Sequence, residues 1–474
     1  MSLKYTNRIF ALAAAFLSNA LFGQAQTTPY NDESGYVRVS PKDTRYFEYD
    51  DGSPYIAIGA NYCFDRTTGD PVKIKQNYNR DFVAMKANGA NFVRIMMQWD
   101  FTQLEKPVNN YRPQAFDNID FLIDIARENG IKLKLSMDSF RTIEKSQYAK
   151  SGIKDMDEYL TSPKWRTQFL KRIDMLASRY SKCNAIFAIE LWNEMNCVSA
   201  KHENIVAWTD YMCKEVKKRF PRTMVVQSLG SLDRERFLPV YKDYMTLESN
   251  DVAQVHRYLD KGAPWKICQA PFTEIAWDAV SQIRAMVGDS KPIILAETGA
   301  VKPAHTGPWE YYDVDKDGVV LHDLTFATFF SGSAGTGHVW HWDQLLIRPN
   351  HWRHYARFNE AIKKVNVLEE KFEVKKASAD NVNYYALVGR KNTMVFCRDM
   401  LNTWETELAG GIPPEKRSGA VFDISQICPP EKIAKFKRAR VYDPWNDKWS
   451  KASISGGKVK LPKFLRSVVL RLYE

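Results

Sequence analysis

The sequence predicts an α/β chain, a (β/α)8 TIM barrel followed by a small all-β sandwich, and three observations carry that prediction. Short apolar strands alternate with longer helical patterns eight times. Two early helices end on the same signal, Asn-Gly leading straight into a strand. After about residue 372 the pattern changes to short alternating strands punctuated by glycine turns. A chain of 474 residues, 45 % of them hydrophobic, is globular and too long for one ordinary core, so a large domain with a smaller companion is expected.

The eight expected strands are Tyr55–Ala60, Asn91–Met97, Ile131–Met137, Ala185–Leu191, Met224–Leu229, Val252–Tyr258, Pro292–Glu297 and Gly337–Trp342. Strands separated by helices call for a parallel sheet covered on both faces. Lys86-Ala87-Asn88-Gly89 and Arg127-Glu128-Asn129-Gly130 each close a helix with glycine, the residue that supplies the positive φ of a C-cap. Those glycines stand 41 residues apart, about one strand–helix unit of a closed eightfold barrel. An open doubly wound sheet would carry a Gly-rich phosphate turn after its first strand. Gly59-Ala60-Asn61-Tyr62-Cys63-Phe64 has none.

The stretch 350–372 reads as a final helix, with Trp352, Tyr355, Phe358, Ile362 and Val365 at three- and four-residue steps. Beyond it, runs such as 383–388 and 468–472, with turns at Gly389, Gly410-Gly411 and Gly456-Gly457, indicate a small sandwich. The expected division is a signal peptide at 1–25, the barrel at 26–372 and the sandwich at 373–474.

Lys4 and Arg8 precede the apolar stretch Ile9 to Phe22, and Gly23 and Ala25 prepare a cut after Ala25. That layout predicts a secreted or periplasmic protein. The apolar stretch is short for a membrane span, so no stable membrane insertion is expected. The formal charge of +11 falls to +9 without residues 1–25. Basic residues are scattered, the longest cluster being Lys435-Phe436-Lys437-Arg438-Ala439-Arg440, and nucleic acid is not an expected partner. The seven cysteines form neither a Cys-x-x-Cys pair nor a zinc-spaced cluster, so no metal or other cofactor is called for.

Two glutamates close apolar strands. Ile186-Phe187-Ala188-Ile189-Glu190-Leu191-Trp192-Asn193-Glu194 ends on Asn-Glu, and Pro292-Ile293-Ile294-Leu295-Ala296-Glu297-Thr298-Gly299 carries a lone Glu. A barrel presents its chemistry at the C-terminal ends of its strands. Two carboxyls placed there are the minimum equipment for cleaving a glycosidic bond. Asp313-Val314-Asp315-Lys316-Asp317-Gly318 begins like a calcium loop, but its twelfth position is Leu324 where a bidentate Glu is expected.

On five motifs the barrel resembles the retaining β-glycosidases of glycoside hydrolase clan A, in the style of the family 5 cellulases and mannanases. They are Val93-Arg94, Trp192-Asn193-Glu194, His256-Arg257-Tyr258, Ala296-Glu297-Thr298-Gly299 and Trp340-His341-Trp342, and the likeness covers roughly residues 45–370. The resemblance implies Glu194 as general acid/base and Glu297 as nucleophile, acting on an oligo- or polysaccharide. With both ionised the carboxyls would repel, so the site must hold Glu194 protonated while Glu297 stays charged. The resemblance places Arg94 beside Glu297, and Tyr258 within reach to donate to it. It matches Asn193 to the residue that contacts the sugar 2-hydroxyl and His256 to a polar residue of the substrate floor. Trp340 and Trp342 share a strand parity, and at least one is expected to form a platform for a sugar ring. Asn61 and Asp138 are candidates by position, at the ends of the first and third strands.

Each residue also has a plainer reading: Arg94 as a structural ion pair, His256 as a hydrogen-bonded core histidine, the tryptophans as core. The rival from another class is a non-catalytic carbohydrate-binding protein on a glycosidase scaffold. A metal-dependent barrel hydrolase needs a histidine cluster, and the first strand offers none.

Overall fold

The computed structural model describes residues 30–139 and 152–474, and the expected signal segment lies outside them. Strands Gly59–Asn61, Phe92–Met96, Lys132–Ser139, Ile186–Asn193 and Met224–Val226 pair in parallel in that order. Ala253–Asp260 and Ile293–Val301 form a second parallel pair. The seam between the fifth and sixth strands is held by single bonds, Asp251 N to Val225 O at 3.0 Å and Leu232 N to His256 O at 2.8 Å.

The eighth strand is not a continuous ladder. It closes the barrel through parallel bridges from Gly335 to Ala57 and from Val339 to Thr298. Asn61 N donates to Val339 O at 3.1 Å and Trp340 N to Thr298 O at 2.9 Å. Glycine allows close approach both in the pairing of the first two strands, at Gly59, and at the closure, at Gly335. A Cβ on Gly59 would lie 1.9 Å from Phe92 O, and one on Gly335 would lie 2.4 Å from Ala57 O.

The first strand begins later than its apolar run indicates. Pro54–Tyr55 joins Val37–Val39 and Phe47–Tyr49 in a small antiparallel sheet. The rings of Phe47 and Tyr55 pack on Phe187 at the start of the fourth strand, at 5.1 Å and 5.8 Å, and so cover the floor of the barrel. Tyr55 is apolar in the sequence because it serves this plug.

Among the described residues each strand is followed by a helix, Pro71–Ala87, Pro113–Asn129, Pro163–Tyr180, His202–Arg219, Leu238–Met245, Phe272–Val287, Val319–Phe330 and Arg353–Ile362, with the shorter Met156–Thr161 ahead of the third. Proline opens the first three, where its fixed φ suits the helix and its missing N–H costs nothing. Gly130 takes the left-handed C-cap at φ 68°, and Gly89 has φ 74°. The expected single helix over 350–372 is broken after Ile362. Lys364 turns to φ 64°, and Asn366 caps a separate turn, Val367–Glu370, by accepting from Leu368 N.

From Glu373 the chain is antiparallel. Strands Glu373–Ala379, Val382–Val388, Asn392–Asp399, Ser467–Tyr473, Arg438–Asp443 and Lys448–Ala452 form one sheet in that spatial order. One face, with Tyr385, Met394, Phe396 and Val469, belongs to the same hydrophobic core as the barrel. Phe396 stacks on Phe326 at 5.4 Å. The opposite face, with Tyr384, Val395, Val441 and Leu470, is covered by two small sheets that include Phe422 and Phe464. Across the junction Arg398 and Asp323, both buried, form a two-pronged pair at 2.8 Å and 3.0 Å.

Among the described residues no helix is long and apolar enough to cross a membrane. The calcium-like loop is otherwise engaged: both oxygens of Asp315 cap Val319 and Val320 N–H, and Asp317 pairs with Arg466 at 2.7 Å.

Candidate active site

A cleft of about 620 Å³ opens at the C-terminal ends of the barrel strands, walled by Phe64, Trp99 and Trp340 with Asn193, Glu194, Tyr258 and Glu297 at its base. Glu194 follows the fourth strand in a left-handed conformation, φ 58° and ψ 52°, which is sparsely populated for a side-chain-bearing residue and common at functional sites. Its amide donates to Ser228 Oγ at 3.2 Å. Glu297 is not at a strand end, since its strand runs on to Val301. A register shift between Leu295 and Glu297 re-aims the side chain instead.

The two glutamates meet over one histidine. His256 Nδ1 lies 3.1 Å from Glu194 Oε1 and 3.4 Å from Glu297 Oε2. One donor atom from each of the three falls within 4.8 Å of the others. His256 is therefore not a floor residue but the bridge between the carboxyls. A proton on Nδ1 serves both oxygens at once.

Glu297 is the more enclosed glutamate. Tyr258 Oη donates to its Oε2 at 2.7 Å, and Arg94 Nη1 donates to its Oε1. Burial alone would raise this carboxyl, but His256, Arg94 and the two hydrogen bonds outweigh burial and hold it below the usual carboxylate range. Burial pushes the Tyr258 hydroxyl well above its ordinary value, so it keeps its proton and remains a hydrogen-bond donor to Glu297.

Arg94 is fully buried and organises the layer beneath. Its Nε donates to Glu190 Oε2 at 2.7 Å, Nη2 to Asn193 Oδ1 at 2.6 Å and Nη1 to Asn61 Oδ1 at 3.3 Å. Burial would raise Glu190, yet Arg94 and then Lys134 draw it down to about 2. Lys134 is itself lowered by burial to about 8 and donates to Gln254 Oε1 at 2.6 Å. Buried charges of this kind hold only when each is answered by others.

Three sequence candidates have other duties. Asn61 lies behind Arg94 and donates to Ala296 O at 2.9 Å and His338 O at 2.8 Å, tying the barrel seam. Asp138 is buried in an ion pair with Arg172, 2.9 Å along one prong, outside the cleft. Trp342 is buried against Tyr62 and Phe64, and its ring stands at 88° to that of Trp340. Strand parity fails for this pair because the chain leaves the strand after Trp340 and enters a π-turn at Asp343–Ile347. Trp340 alone faces the cleft.

Glu190 and Lys134 escape sequence reading, although charged residues inside the apolar runs of barrel strands signal a buried pair. His341 escapes as well. Tyr312 Oη donates to Ala300 O at 2.7 Å and accepts from Ala300 N at 2.6 Å, so it can only accept from His341 Nδ1, 3.2 Å away. Burial, then Arg66, lowers this imidazole to about 3. A neutral ring protonated on Nδ1 presents Nε2 to the cleft wall as an acceptor.

A family model described as Cellulase (glycosyl hydrolase family 5) matches residues 55–324. Mannan endo-1,4-beta-mannosidase 1 of Oryza sativa subsp. japonica is 24 % identical over 318 residues, covering 59 % of this chain and 72 % of that protein. A glycoside hydrolase family 5 structure from Bacteroides vulgatus ATCC 8482 superposes with a TM-score of 0.60 at 14 % identity, over 93 % of this chain and 94 % of the other. A second structure, described as a glycoside hydrolase, gives 0.61 at 14 % identity over 93 % and 97 %. These likenesses put the chain among the O-glycosyl hydrolases that act on β-glycosides. With more than half its length under the family model, it belongs to glycosyl hydrolase family 5, in clan A.

Proposed function

We propose that this chain is a secreted, retaining β-glycosidase in which Glu297 is the nucleophile and Glu194 the acid/base. The observation that carries the reading is the approach of the two carboxylates, oxygen to oxygen within 4.8 Å across His256. A retaining site needs its carboxyls about 5 to 5.5 Å apart, whereas an inverting site leaves room for a water between them. Glu297, held charged by Arg94 and Tyr258, attacks the anomeric carbon while Glu194 protonates the departing oxygen. Glu194 then deprotonates a water that releases the glycosyl-enzyme. His256 fixes both carboxyls, Asn193 contacts the sugar beside the reacting carbon, and Trp340 supports the ring.

The rice relative is named as a mannanase, and β-mannan is accordingly the first substrate class proposed. The division into a signal segment at 1–25, a catalytic barrel at 26–372 and a sandwich at 373–474 belongs to the same reading. The test is product analysis by NMR on β-mannan, glucan, xylan and galactan. Expected is release of the β-anomer as first product from mannan, lost in Glu297→Gln. An α-anomer as first product would overturn the assignment of Glu297. Glu194, His256 and Glu297 are also spaced to hold a cation, and EDTA separates that reading: activity should survive it unchanged.

A further inference from the structure

The net charge of the chain is concentrated in one part of it. Residues 373–474 hold 19 Lys and Arg against 11 Asp and Glu, whereas residues 26–372 hold 46 against 45. Within the C-terminal sheet the basic residues are aligned. Lys451 is the cross-strand partner of Arg440, and Arg440 of Arg471, so three cations stand in one row over three strands. Arg438, two residues along, is opposite Tyr473. Directly opposed like charges on a sheet face are destabilising.

Among the described residues no carboxylate closes an ion pair on the row: none of Arg438, Arg440, Lys451 or Arg471 makes one. Arg471, only 4 % exposed, donates to Lys363 O at 2.9 Å and Asn392 Oδ1 at 3.4 Å, and its buried Nε has no partner. Glu370, the carboxylate that acts on Arg471, already accepts from the amides of Lys391 and Asn392. Glu360 accepts from Trp449 Nε1 at 2.6 Å and from Lys363.

Aromatic rings are interleaved with the cations. Arg438 lies over Tyr473 at 4.4 Å and Arg440 over Trp449 at 4.7 Å, with Arg471 between them, 5.0 Å from Tyr473 and 5.8 Å from Trp449. Arg438 and Lys451 are exposed, and Arg440, Trp449 and Tyr473 partly so. The row lies beside the barrel's last helix, with Arg471 bonded to Lys363 O and Trp449 to Glu360, remote in sequence from the cleft residues.

We propose that this row is a binding site for an anionic saccharide, one bearing carboxylate or sulfate groups. Stacking fixes the guanidinium planes of Arg438 and Arg440, whose N–H forks remain available for the paired hydrogen bonds that take a carboxylate or sulfate, while buried Arg471 adds its charge beneath them. The ring edges supply apolar surface for a pyranose. Three adjacent strands span about 10 Å, the width of one or two sugar units. Duplex DNA shares the charge but keeps its bases stacked and makes no use of the interleaved rings.

The test uses full-length Glu297→Gln protein, so that the catalytic cleft turns nothing over. Its migration is compared in native gels containing polygalacturonate, dextran sulfate or neutral dextran, with Arg438→Ser/Arg440→Ser introduced alongside. Expected is retardation by the charged gels only, polygalacturonate marking carboxylate and dextran sulfate marking sulfate recognition, and binding about tenfold weaker in the double variant. The melting temperature of that variant should not fall, because its row no longer repels itself. If it does fall, Lys451→Ser at the exposed edge carries the same comparison. Equal retardation with and without the substitutions would overturn the proposal, as would equal affinity for duplex DNA or phosphatidylglycerol vesicles. Hydrolysis of β-mannan by the unsubstituted chain is measured separately, so this inference and the catalytic reading fail independently.

Discussion

Tyr258 offers the sharpest test at the scale of single residues. Its hydrogen bond helps to lower the Glu297 carboxyl, so Tyr258→Phe should move the acid limb of the kcat/KM profile to higher pH. An unmoved limb would mean that Glu297 does not set it. The sign for stability follows from the same shift. The folded carboxyl lies below its unfolded value, so its contribution is present above that unfolded value and is lost as pH falls through the folded one. Glu194→Gln should lower turnover by about 10²- to 10⁴-fold, read on a substrate with a poor leaving group. That Glu194, Glu297, Arg94 and Tyr258 lie close together could be anticipated because family motifs marked all four, although of these only Glu194 stands at a strand end. Trp342 was misplaced because parity holds only while a strand lasts. Asp138 sits where a site residue could sit, and only Arg172 shows it to be structural.

Among the elements, the pairing of the first two barrel strands is the most sensitive. The 1.9 Å that a Cβ on Gly59 would leave to Phe92 O can be relieved only by moving backbone. Gly59→Ala should cost about 1–3 kcal/mol or more and lower Tm in a circular-dichroism melt. Gly130→Ala should cost less, because a Cβ there meets nothing within 4 Å and only the left-handed φ is strained. Most of the barrel was readable from alternating apolar runs and helix stops. The eighth strand was read at Gly337–Trp342 and pairs there through Val339 and Trp340, though by single bridges in place of a ladder, whereas the floor sheet, a plug built on Tyr55, left no periodicity to detect.

Over the whole molecule, the sheet beyond Glu373 is held to the barrel by a shared core and by Arg398–Asp323. Arg398→Leu strands a buried carboxylate and should cost about 3–5 kcal/mol, visible as a lower urea midpoint. Truncation at residue 372 should give insoluble protein, because Phe326 and Phe330 would lose their cover by Phe396. Soluble, active 30–372 would refute that dependence. The sandwich was legible as strands and turns, but which of its faces would be lost to the barrel was not, since both faces are equally apolar in sequence.

That shared core also bears on inheritance. A module joined by a tether can be exchanged between enzymes as a cassette, whereas a sheet whose aromatic face completes its neighbour's interior must travel with the helices it covers. Homologues of this chain should therefore co-vary at Phe326, Phe358 and Phe396, and chimaeras cut near residue 372 should fail unless the helix Val319–Phe330 is exchanged with the sheet.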